Sequence, residues 1–222
     1  MLILWLLYGL PTATELQFLL LIVVAILGSA VLHEFAHAMV AFLLGDHSQE
    51  DKKRLTLNPI NQLSWKGSLC LLVTGFVVWA KPVYVEEENL KNPKKDMAII
   101  AFAGPAMIFL LAFLLIFVME FFTRILLFQG MLFDGLEVLA LINIFLAIFN
   151  LIPLVPLDGS KIVYAFVDSR TFDKTITWQL VGLAFVIIVI LFFDGLGIID
   201  TGFYQFIERI LYLMKNFVRM VF

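Results

Sequence analysis

Cysteine is nearly absent from this sequence: Cys70 stands alone among 222 residues, which excludes an internal disulfide and any C-x-x-C metal or redox pair. Charge is scarce as well. Only 15% of the residues are charged while 62% are hydrophobic, whereas a soluble domain carries about a quarter charged residues. The composition is that of an integral membrane protein. A net charge of -3 without a basic stripe offers nothing to track a phosphate backbone, so no nucleic-acid partner is expected. The apolar start, residues 1–10, lacks the basic region and small-residue cleavage site of a signal peptide and is expected to stay in the chain. With no repeat of solenoid length and no low-complexity tract, a single membrane domain over residues 1–222 is expected.

Histidine is rare too, yet two of the three histidines fall together in Val31-Leu32-His33-Glu34-Phe35-Ala36-His37-Ala38, within an almost uninterrupted apolar run, 16–44. Residues four apart share a helix face, so His33 and His37 can present imidazole nitrogens to one metal ion with Glu34 beside them. Imidazole in near-tetrahedral geometry suits zinc. Glu34 can then take a proton from a water that such a metal has acidified, which points to hydrolysis. The competing reading is two histidines making helix-to-helix hydrogen bonds. Burial weighs against it, because ionisable groups at bilayer depth cost roughly 3 kcal/mol each and are usually kept for function.

The expected fold class is an all-α polytopic membrane protein with four transmembrane helices: 16–44, 97–122, 136–152 and 176–193. Gly45 is placed to end the first span. Gly104-Pro105 interrupts the second, where Ala101, Ala103, Gly104 and Ala106 allow a neighbour to approach closely. Shorter segments accompany them: an interfacial helix at 3–10, an extended or turn segment at 55–63, and a re-entrant hairpin, strand or short helix at 68–80. A small membrane-associated β element is therefore an option, with 55–80 the candidate strand edge for a substrate. Residues 81–96, including Glu86, Glu87 and Glu88, read as solvated, and 203–222 as an amphipathic helix lying on the membrane.

Basic residues crowd 46–96 and recur as Lys161, Arg170 and Lys174 after the third span, but only Arg124 lies between the second and third. The positive-inside rule makes the first two regions cytoplasmic and the last external, which puts His33 and His37 nearer the cytoplasmic face. Glu120, Asp134, Glu137 and Asp194 then fall near external span ends, where solvation is expected.

A zinc hydrolase wants three protein ligands and an open position, and the first span supplies two. His47, in the loop beyond Gly45, is one candidate for the third. Asp158 is better placed: Pro153 and Pro156 unwind the end of the third span at the depth of the histidines, and Gly159 lets the chain reverse. The alternative makes Asp158 an ordinary cap of a following helix. Asn150 is either a helix-to-helix hydrogen bond or a donor to a developing oxyanion, and both readings stay open.

His33-Glu34-Phe35-Ala36-His37 followed by Asn150-x-x-Pro-x-x-Pro-Leu-Asp158-Gly159 resembles the site-2 proteases, intramembrane zinc metalloproteases. The resemblance also runs through Arg54-Leu-Thr-Leu-Asn58-Pro59, Trp79-Ala-Lys81-Pro82-Val83 and Ala103-Gly104-Pro105, and is to the short prokaryotic type without a PDZ domain. It implies one zinc ion on His33, His37 and Asp158, Glu34 as base, Asn150 near the scissile bond, and a prokaryotic cell-membrane location. It implies substrates that are transmembrane segments of other proteins. The chain departs from the pattern at Ile108, where family members commonly carry Asn, and at Asn61-Gln62-Leu63-Ser64-Trp65. A membrane zinc transporter or sensor could use the same ligands, but further ligands along a path or inverted repeats would be expected of it, and neither is visible. Oligomeric state has no signature in the sequence.

Overall fold

The computed structural model describes residues 12–62, 81, 83–127, 130–167, 177, 180–182, 184 and 203–221. The segments 3–10 and 68–80, Asp194 and most of the fourth expected span, 176–193, lie outside the described residues. Within them the protein is helical, and no strand occurs. Seven α-helices follow in order: α1 (Ala13–Leu43), α2 (Ser48–Asp51), α3 (Pro59–Gln62), α4 (Pro93–Ile125), α5 (Met131–Asn150), α6 (Asp158–Tyr164) and α7 (Phe203–Arg219). A 3-10 turn, Glu87–Asn89, precedes α4. The 55–63 segment, expected to be extended or turned, contains the short α3.

Among the described residues two helices are long and apolar enough to cross a bilayer, α1 through Val23–Leu43 and α4 over its whole length. Gly135–Asn150 within α5 is apolar but shorter. The three pack on one another. Small buried residues, including Ala38 and Ala41 on α1, Ala101, Gly104 and Ala112 on α4, and Ala140 and Ala147 on α5, bring the backbones close. In lipid, dispersion at such close contacts is what holds helices together.

The end of α1 is a Schellman turn. Gly45 adopts φ 117°, its N–H donates to Phe42 O at 3.1 Å, and Asp46 N–H donates to Ala41 O at 2.9 Å. Any side chain at Gly45 would also strike Asn89 O. Asp46 is fully buried and its carboxylate accepts from Ser48 N–H and Oγ, Gln49 Nε2, Glu86 N–H and Asn89 Nδ2. Burial pushes its pKa up, but those hydrogen bonds outweigh it and hold the carboxyl at about 2. This knot ties the end of α1 to the segment before α4, where Val83 and Leu90 are buried and Glu87 and Glu88 are exposed.

α7 differs from expectation. Its apolar face, Ile207, Leu211, Met214 and Val218, packs into a core with Ala112 and Ile116 of α4 and Ala140 and Ile144 of α5. Glu120, expected to be solvated, is 3% exposed. It accepts from Arg124 Nε and Arg219 Nε, each at 2.9 Å, while Lys215 Nζ lies 2.6 Å from Glu137. Arg219, 99 residues away in sequence, supplies the countercharge that lets the carboxylate leave water.

Candidate metal centre

His33 and His37 lie on one face of α1, their Nε2 atoms 2.9 Å apart. Asp158 arrives from 121 residues beyond His37. Pro153 and Pro156 follow α5 in a run of turns, and α6 begins at Asp158 itself with Leu157 at the cap position. A Cβ on Gly159 would collide with the carbonyls of Leu151 and Ile152, so only glycine lets this turn close. The ordinary capping role is not taken, since the cap position falls on Leu157 and Asp158 is the first residue of the helix. Asp158 Oδ2 instead points at both imidazoles, 3.0 Å from His33 Nε2 and 3.1 Å from His37 Nε2.

The donor set fits a metal. His37 Nδ1 lies 2.6 Å from Ile100 O on α4, and a carbonyl only accepts, so the ring proton sits on Nδ1 and Nε2 presents a lone pair. That lone pair faces a carboxylate oxygen and the Nε2 of His33, so three potential ligand atoms form a nearly equilateral triangle. A cation is the natural occupant. Tetrahedral zinc with ligand bonds of 2.0–2.1 Å separates its ligands by about 3.3 Å, close to the observed edges. Among the described residues this is the only such group of three His, Cys, Asp or Glu side chains.

α4 forms the floor. A Cβ on Gly104 would clash with His37 Nε2 and lie 2.6 Å from Cε1 of both histidines. The small patch before Pro105 therefore makes room for the imidazoles. Glu34 neighbours the triangle, and its Oε2 is buried without a protein hydrogen-bond partner, which leaves a lone pair for a proton. Asp158 brings negative charge near it, and Lys161 and Arg54 positive charge. Lys161, one turn into α6, places Nζ 3.8 Å from Asp158 Oδ1.

Asn150 is not brought into the triangle; its Nδ2 donates to Leu146 O of its own helix at 2.8 Å. His47 is apart from it too, its ring set edge-on against Phe42. Ile108, the departure from the family pattern, is a core residue at 2% exposure. Gln62, in the other departing stretch, is fully buried, with Nε2 donating to the carbonyls of Arg54 and Thr56 and Oε1 accepting from Arg54. Sequence reasoning missed the roles of Ile100 O and Lys161. Only the i,i+3 spacing of Asp158 and Lys161 hinted at the latter.

A helical frame with membrane-length helices and a His-His-Asp group that could hold a metal ion, beside a glutamate, is the arrangement expected of a metal-dependent hydrolase. Comparison with known proteins agrees: the model of Peptidase family M50 matches residues 21–135 and 126–191. The chain belongs to this family, the site-2 protease family of membrane metalloproteases. It is 33% identical over 190 residues to "Putative zinc metalloprotease YwhC" of Bacillus subtilis, covering 79% of this chain and 81% of that protein. It is 30% identical over 145 residues to "Putative zinc metalloprotease Rip2" of Mycolicibacterium smegmatis, covering 63% of this chain and 54% of that one. No solved structure matches.

Proposed function

We propose that this chain is a single-domain intramembrane endopeptidase that uses one zinc ion to hydrolyse peptide bonds within or near transmembrane segments of other proteins. The observation that carries the reading is the triangle of His33 Nε2, His37 Nε2 and Asp158 Oδ2, drawn from parts of the chain at least 121 residues apart. His33, His37 and Asp158 hold the metal. Bound there, zinc supplies Lewis acidity, lowering the pKa of water and polarising a carbonyl. Glu34 takes the proton of the attacking water at Oε2 and returns it to the departing amine. Asn150 turns from Leu146 O toward the scissile bond when substrate is present. Gly104 and Ile100 keep the imidazoles in position.

A substrate helix must unwind locally, since its amides are hydrogen-bonded and shielded, and the freed groups need partners inside the membrane. The catalytic centre lies nearer the cytoplasmic face, the side from which water reaches it. The test is cleavage of a single-span substrate co-reconstituted in liposomes. Glu34→Gln should retain zinc and lose at least about a hundredfold in rate; undiminished turnover would remove Glu34 as the base.

A further inference from the structure

Asp158 offers two carboxylate oxygens, and the structure treats them differently. Oδ2 faces both imidazoles, at 3.0 and 3.1 Å, whereas Oδ1 is turned outward, 3.8 Å from Lys161 Nζ. The backbone below is fixed by the close contact of Gly159 with the carbonyls of Leu151 and Ile152. What remains free is rotation about the Cβ–Cγ bond, a broad and roughly two-fold torsion with little intrinsic preference. Such rotation brings Oδ1 toward the imidazoles and lets the carboxylate bind through both oxygens. Bidentate binding would crowd the position that water or a peptide carbonyl has to enter.

We propose that Lys161 is a positioning residue: its ammonium holds Oδ1 of Asp158 away from the metal, so the aspartate binds through Oδ2 alone and one coordination position stays open. This rests on the zinc-site reading above. The side-chain exposures suit the role, 9% for Asp158 and 41% for Lys161, because the lysine supplies countercharge to a buried carboxylate while keeping much of its own hydration. An outer partner that orients a ligating carboxylate commonly sets metal affinity by a factor of about 10 to 100.

Lys161 also acts on the charge of Glu34, so activity alone cannot separate the two effects. The experiment therefore reads the metal. The full chain in detergent is loaded with zinc for competition against a chromophoric chelator, and with cobalt(II) for its visible spectrum. Lys161→Met should bind zinc about tenfold more tightly, because a second carboxylate oxygen joins the metal and a neighbouring positive charge is gone. Its cobalt form should absorb less per metal, as a five-coordinate ion does relative to a four-coordinate one. Lys161→Arg should restore both. If Lys161→Met does not fold, Lys161→Gln carries the same expectation. Wild-type zinc affinity and a wild-type cobalt spectrum in the charge-removing variant would overturn the proposal, even if cleavage fell. A wild type that takes up neither metal would remove the site itself, and with it this role.

Discussion

A methyl group on Gly104 would take the space of His37 Nε2. Replacing a helical glycine by alanine ordinarily stabilises a helix by about 1 kcal/mol. Here the contact should reverse the benefit where it matters. Gly104→Ala is expected to keep its helical circular dichroism and lose at least about tenfold in zinc affinity, measured by chelator competition; unchanged affinity would mean that α4 does not floor the site. The histidine pair was legible in the sequence because i,i+4 spacing encodes a shared face. Gly104 was legible only as a place of close approach, since the groups it accommodates sit on α1, 67 and 71 positions earlier by residue number. Asp158 was legible from the prolines that unwind the chain before it. Lys161 was not, because a lysine at a helix start reads equally well as solvated.

Elements were read most securely where composition alone decides them, as in α1, α4 and α5. Contacts between elements were less legible. α7 carries the pattern of an amphipathic helix, but pattern does not say whether the apolar stripe meets lipid or protein. Its packing on α4 and α5 brings Arg219 to Glu120, and both reversed the expectation. Asp46 gave the same lesson at the end of α1, for two of its five hydrogen-bond donors, Glu86 and Asn89, lie 40 and 43 residues on. That knot makes a pH prediction. Its carboxyl is held at about 2, below the ordinary 3.8, so its stabilisation is complete above the higher value and disappears as pH falls through the lower. The wild type should exceed Asp46→Asn by roughly 2 kcal/mol above pH 4, with the gap closing toward pH 2. Denaturation of both in detergent across that range checks it, and a gap independent of pH would contradict the hydrogen-bonded carboxylate.

At the scale of the whole molecule, three separate parts of the chain build the candidate metal centre. α1 brings two imidazoles, the unwound end of α5 delivers Asp158, and α4 supplies the space and the carbonyl that orients His37. Close helix packing in this frame does more than hold the fold together, since it fixes the distance between ligands that no local sequence could set. The family assignment agrees with such a centre, and the proposed proteolysis depends on it. Zinc content of the purified chain, determined by elemental analysis beside Asp158→Ala, tests that dependence most directly. The wild type should carry one zinc per chain and the variant should lose it on dialysis; full zinc retention by Asp158→Ala would contradict the account.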